Sequence, residues 1–195
     1  MRREPWLASS FALALLACRP GSQADGGAPA AACPPAWFDA PTFDAQIVVP
    51  SGNDRILLHA AATGSQNYRC APLTVDGGSG YTWSLAGPEA TLSDCHAAVI
   101  GHHFASDTGA AEWQMLDGAY VVARKVATSK GDDRSVSWLL LSVESHGGSG
   151  PFTEARFVQR VRTSGGVPPS EPCDASRVGT LQKVPYAADY FFYGP

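Results

Sequence analysis

The clearest pattern of apolar and polar positions lies in residues 138–166, WLLLSVESHGGSGPFTEARFVQRVRTSGG. Residues 138–143 are a dense apolar run, too short for a membrane span and suited to a buried strand. The segment from His146 to Gly150 carries three glycines, where the backbone can reverse. Residues 152–163 then alternate: Ala155, Phe157 and Val161 fall on one face, and Glu154, Arg156, Arg160 and Arg162 on the other. That predicts a hairpin with one wall in a core and one charged, solvated wall.

The rest of the chain from Pro34 follows the same grammar. Short runs rich in Val, Ile, Thr, Tyr, Phe and Trp alternate with clusters of Gly, Pro, Asp and Ser. The predicted strands are 55–62, 66–70, 81–86, 97–104, 111–115, 120–128, 136–145, 152–163 and 186–193. Tyr81, Trp83 and Leu85 alternate with Thr82 and Ser84, the pattern of a half-buried strand. Asp117-Gly118 marks a tight turn between two such runs. No stretch of eleven or more residues beyond the N-terminal segment has helical periodicity, so little helix is expected. The fold class is all-β: an antiparallel sandwich or a closed barrel of about nine strands.

The N-terminus changes the setting. Arg2 and Arg3 precede an apolar stretch, residues 7–16, too short for a stable span, so residues 1–17 read as a lipoprotein signal peptide. Leu15-Leu16-Ala17-Cys18 places Cys18 where a lipobox cysteine is acylated. Residues 18–33 are Gly-, Pro- and Ala-rich with no aromatic residue, and read as a flexible tether of roughly 20 Å r.m.s. span. Residues 34–195 remain as a single β domain. Removing residues 1–17 takes two arginines and one glutamate from 14 basic and 18 acidic side chains, leaving a net charge of −5. That balance offers no footprint for nucleic acid, and the membrane partner is reached through the lipid alone. Export to the cell envelope, the outer membrane in particular, or secretion, is the expected address. Apart from Cys18, four cysteines remain, an even number that suits disulfides in an oxidising compartment; none has zinc-ligand spacing.

Several strings together resemble a known family. They are residues 64–72 (GSQNYRCAP), 88–92 (PEATL), 138–141 (WLLL), 158–161 (VQRV), 163–168 (TSGGVP), Cys173 and 184–193 (VPYAADYFFY). The chain is similar to secreted proteins of bacteria and filamentous fungi that share an uncharacterised domain. Some fungal members carry a malate dehydrogenase label, which finds no support here: there is no GxGxxG between a strand and a helix and no β/α alternation. The resemblance implies no activity and no cofactor. It does imply that Cys70 pairs with Cys173, which leaves Cys33 for Cys95.

Candidate chemistry is sparse. His102 and His103 are adjacent on a predicted strand and so point to opposite faces. His103, His146 and Asp117 converge on a metal or form an acid–base set only if their loops meet at one end. Ser145-His146 lacks the nucleophile elbow of a hydrolase, and Thr163-Ser164-Gly165-Gly166 reads as a turn rather than a phosphate cradle. Trp113, flanked by Glu112 and Gln114, is a candidate exposed aromatic for ligand contact, beside His103 and Arg160. The expectation is a non-enzymatic binding module for a carbohydrate or hydrophobic small molecule, with no cofactor and no metal. The alternatives are an exported metal-dependent or hydrolytic enzyme using His103, His146 and Asp117, and a structural envelope component.

Overall fold

Strands whose two faces are both apolar must find a layer on each side, and this chain supplies both. The computed structural model describes residues 31–41, 45–75 and 78–195, with the side chain of residue 75 excepted. Cys18, the expected signal peptide and most of the expected tether lie outside the described residues. Eight strands run in chain order: β1 (Arg55–Val75), β2 (Gly78–Ser93), β3 (Val99–Ala105), β4 (Ala111–Met115), β5 (Tyr120–Ser129), β6 (Trp138–Gly147), β7 (Phe157–Gly165) and β8 (Leu181–Gly194). Each pairs antiparallel with the next, and β8 returns to β1, so the sheet closes on itself as a barrel. Helical structure among the described residues is confined to short 3-10 turns. No helix among them is long and apolar enough to cross a membrane.

The expected nine strands become eight because one expected break is absent. Residues 55–62 and 66–70 are one strand, continuous through Gly64. A Cβ at Gly64 would lie 2.1 Å from the Glu89 carbonyl oxygen, so this glycine permits a close approach of β2 rather than a turn. Residues 81–86 extend in both directions, and β1 and β2 carry a bulge at Asn67/Tyr68, opposite Gly87 with φ +129°. The expected alternation of Tyr81, Trp83 and Leu85 does not appear in burial: Tyr81 and Leu85 are exposed. Residues 152–154 are no strand but part of a 3-10 turn, Gly150–Glu154.

Alternation sorts side chains between the barrel interior and its outer wall. On β8, Tyr186, Ala188, Tyr190 and Phe192 point inward, and Phe191 and Tyr193 outward. On β7, Val158 and Arg160 face the interior, while Phe157, Gln159 and Val161 face out. The expected assignment of this strand is thereby corrected: Arg160 is not on a solvated wall. The outward face is buried as well, because residues 35–41 and 45–49 lie across it as a strap. Ile47 and Val49 pack with Leu140, Val161, Phe191 and Tyr193. Gln159, fully buried, donates to the Ile47 carbonyl at 2.6 Å and accepts from the Tyr193 hydroxyl at 2.6 Å. Under the strap His59 stacks between Trp37 and Phe191, with ring centroids 4.0 and 4.1 Å away. His59 Nδ1 donates to the Trp37 carbonyl, and its Nε2 lies 3.4 Å from Asp189. That second contact falls outside hydrogen-bond geometry but within ion-pair distance, and Arg162 reaches Asp189 at 3.0 Å.

Register also fixes the two ends of the barrel. The reversals at residues 94–98, 116–119 and 148–156 share one end. Those at 106–110, 130–137 and 166–180 share the other with the β1–β2 reversal. At the first end Phe152 enters the interior and packs on Phe192 at 4.7 Å. Its loop presses on the β4–β5 turn so closely that a Cβ at Gly148 would sit 2.5 Å from the Ala119 Cα. Two disulfides complete the domain, Cys70–Cys173 and Cys33–Cys95. The first ties the projecting part of β1 to the loop 166–180; the second fastens the start of the strap to the β2–β3 turn.

Candidate functional site: a cavity at the open end of the barrel

An eight-stranded barrel is at the size where the interior either fills with side chains or holds one small ligand. Here both occur, one at each end. Toward the open end the inward positions carry small residues: Gly87, Ala105, Ala110, Ala111 and Ala123. They leave a cavity of about 750 Å³ that opens between the loops at that end. Leu139, Leu141, Val136 and Val167 supply much of the rest of the wall.

The floor is aromatic. His103 on β3 stacks on Trp113 on β4 at 4.5 Å with planes 8° apart, and Tyr190 meets both edge-on at 4.9 and 5.1 Å. Trp113 is 0% exposed, which corrects the expectation of an exposed contact residue; it is inward because β4 pairs His103 with Trp113 on the interior face. Its indole N–H has no protein acceptor, and the buried Gln66 amide nitrogen likewise has no protein partner. Unsatisfied donors at the bottom of an accessible cavity are costly in the empty state and available to a bound molecule.

His103 is held neutral. Burial pushes its pKa down to about 3; the hydrogen bond to the Glu112 carbonyl opposes this, and the nearby Arg160 charge reinforces it. Nδ1 donates to that carbonyl at 2.8 Å, which fixes the tautomer. A ring in this state does not supply a proton at neutral pH.

Arg160 on β7 is half-buried and lines the same cavity. Its Nε and Nη2 both donate to the Ser137 carbonyl, at 3.2 and 2.8 Å. Beside it are the hydroxyls of Tyr186 and Tyr190, which hydrogen-bond each other. Burial raises both tyrosine pKa values, so both hydroxyls stay protonated. Tyr68, also raised by burial, donates to the Gly166 carbonyl at 2.7 Å.

The structure thus brings together three sequence candidates, His103, Trp113 and Arg160, and separates the others. His146 sits on β6 across the row His103–Trp113–Val121–His146, three strand spacings or roughly 14 Å from His103. Asp117 lies exposed in the β4–β5 turn at the plugged end, where its carboxylate accepts from the Ala119 N–H at 2.9 Å. Its role there is to shape the turn. A grouping of metal-type side chains does occur at Cys33, Cys95 and His96, but the two sulfurs are spent on their disulfide. Gln66, Tyr190 and Lys125 were not foreseen as cavity residues; a polar residue inside an otherwise inward-facing apolar series was the available signal for Gln66.

The family model for a protein of unknown function, DUF3455, matches residues 50–194. The chain belongs to this family. No curated protein and no solved structure matches it. The DUF3455 span contains all eight strands, the Cys70–Cys173 disulfide and every residue that lines the cavity, and begins after Cys33 and the strap. The two disulfides are consistent with an extracellular protein.

Proposed function

We propose that the domain is a non-enzymatic binding module that takes one apolar small molecule into the open end of its barrel. The observation that carries this reading is the cavity of about 750 Å³ with aliphatic walls, an aromatic floor and a few converging polar groups. Its size lies within the range of small-molecule sites, roughly 300–1,000 Å³. A hydrophobic guest suits it better than a carbohydrate, because Trp113 lies in the floor and offers no exposed stacking platform. The hydrolytic or metal-dependent alternative draws no support from the placement of His103, His146 and Asp117 on separate parts of the barrel. The setting proposed for this module is the cell envelope, with lipid on Cys18 as its membrane link.

The test is a thermal-unfolding screen of the mature chain against fatty acids, aromatic acids, sterols and oligosaccharides. A true ligand at a hundred times its Kd stabilises by about 2.7 kcal/mol, a readily measured rise in Tm. Ala111→Trp, which places an indole in the cavity, is expected to abolish that rise while the protein stays folded. No rise with any apolar compound would reject the reading.

A further inference from the structure

We infer that the ligand is an organic anion, a carboxylate on an apolar body, whose charged end sits on Arg160 beneath the aliphatic walls. The inference rests on the binding reading above and goes further by assigning the charge and orientation of the guest. Its first support is the charge of the lining. The chain as a whole has a net charge of −4, yet Arg124, Lys125 and Arg160 line the cavity and no aspartate or glutamate does. At the mouth, Arg124 pairs with Glu144 at 2.8 Å and both are exposed. Lys125 is exposed at the rim, opposite the inward-facing Leu141.

Arg160 differs from the other arginines in what surrounds it. Arg55, Arg124, Arg134, Arg162 and Arg177 each have a carboxylate within ion-pair distance. Among the described residues Arg69, Arg156 and Arg160 have none, and of these three only Arg160 is half-buried, the other two being exposed. A guanidinium withdrawn from water without a counter-ion is unfavourable, and the charge cannot be discarded by deprotonation. A ligand anion supplies what the protein omits. Geometry allows it: of the five N–H groups, one on Nε and one on Nη2 are directed at the Ser137 carbonyl, and the end-on pair of Nη1 and Nη2 has only the neutral Tyr186 and Tyr190 hydroxyls beside it, partners that a bound anion shares or displaces. That pair matches the two oxygens of a carboxylate.

The neighbours agree in polarity. The Tyr186–Tyr190 hydroxyl pair retains one O–H not used between them. The Gln66 amide and the Trp113 indole are donors lacking partners, both nine-tenths or more buried at the cavity floor. A site rich in unspent donors and without acidic side chains recognises an acceptor-rich, negatively charged group. The aliphatic walls above it recognise the apolar remainder.

The decisive experiment compares 2-naphthoate with 2-naphthamide, equal in shape and different in charge, by calorimetric titration of the mature chain at pH 7. Binding of the carboxylate is expected to be roughly 10- to 100-fold tighter than that of the amide, the range for hydrogen bonds to a charged group. Arg160→Met should bring the two affinities within about threefold of each other with the amide still bound, which also reports an intact cavity. Arg160→Lys should retain part of the preference. Equal affinities of wild type for acid and amide would overturn the anion assignment and leave the cavity reading standing. Absence of binding by either compound, together with a blank thermal screen, would remove both.

Discussion

The two ends of the barrel are built from the same strands yet held in different ways. At one end Phe152 drives into the interior, packs on Phe192 and is 1% exposed; the β6–β7 loop closes over it. At the other end alanines and glycines leave space, and the loops are held by hydrogen bonds and one disulfide rather than by a plug. Trp83 donates to the Glu171 carbonyl at 2.8 Å, and Cys70 exchanges backbone hydrogen bonds with residues 179 and 180. The contrast separates two tasks. Packing at the closed end supplies stability, which lets the open end keep an unfilled interior and unsatisfied donors.

This division can be broken in three places. The largest effect is expected from Cys70→Ser with Cys173→Ser. The bond closes a loop with a sequence separation of 103, and its loss should cost about 4–5 kcal/mol in urea unfolding by the chain-entropy argument. A loss below about 1 kcal/mol would show that the open end is held without it. Next, Phe152→Ala should remove about 3–5 kcal/mol through lost burial and the void left behind. Because the plug lies at the end remote from the cavity mouth, the acid-over-amide preference should survive; its loss would mean that the ends are not independent.

The third effect is a pH dependence seated in the cavity floor. His103 titrates at about 3 when folded and near 6.5 when unfolded, so the unfolded chain binds the extra proton between those values. Its contribution to stability is therefore fully present above about pH 6.5 and is lost as pH falls toward 3. The slope is up to about 1.4 kcal/mol per pH unit, or roughly 2 kcal/mol between pH 6.5 and 5. His103→Gln should flatten that slope in denaturant titrations, whatever it does to the absolute stability. Asp189 sets a separate acid limit. Burial raises its pKa, but contacts with His59 and Arg162 outweigh this and hold it below the usual value. Its contribution is thus present above about pH 4 and lost only below it, so it overlaps the His103 window only at its acid end.

Legibility in the sequence followed the range of the interactions concerned. The strand Ala111–Met115 was predicted to its observed bounds, and Asp117-Gly118 does turn the chain, with Gly118 at φ +87° and its N–H bonded to the Met115 carbonyl at 3.0 Å. Both rest on contacts between near neighbours in the chain. The opposite faces of His102 and His103 were also readable, since alternation is a property of the strand itself. Arg160 was not, because the apolar series Phe157 and Val161 does face a core, but that core lies under the strap on the outside of the barrel. With a second apolar layer outside, the charged series became the inward one. The shift in pairing at Val161/Ser164 lets Arg162, at φ 48°, leave the strand pattern and reach Asp189. Trp113 was misplaced for a related reason: polar flanks at Glu112 and Gln114 mark the outer face without saying how deeply the inner one is buried.

By itself the sequence determined an all-β domain, its main turns, its scarcity of helix and, through family resemblance, its cysteine partners. These follow from two-residue periodicity, glycine and aspartate turn chemistry and matching strings, all carried locally along the chain. Closure of β8 onto β1, the strap across the outer wall, the plug at one end and the space around Arg160 were decided only in three dimensions. Which face of a strand looks inward depends on what covers the other, and a bulge of one residue reverses the answer.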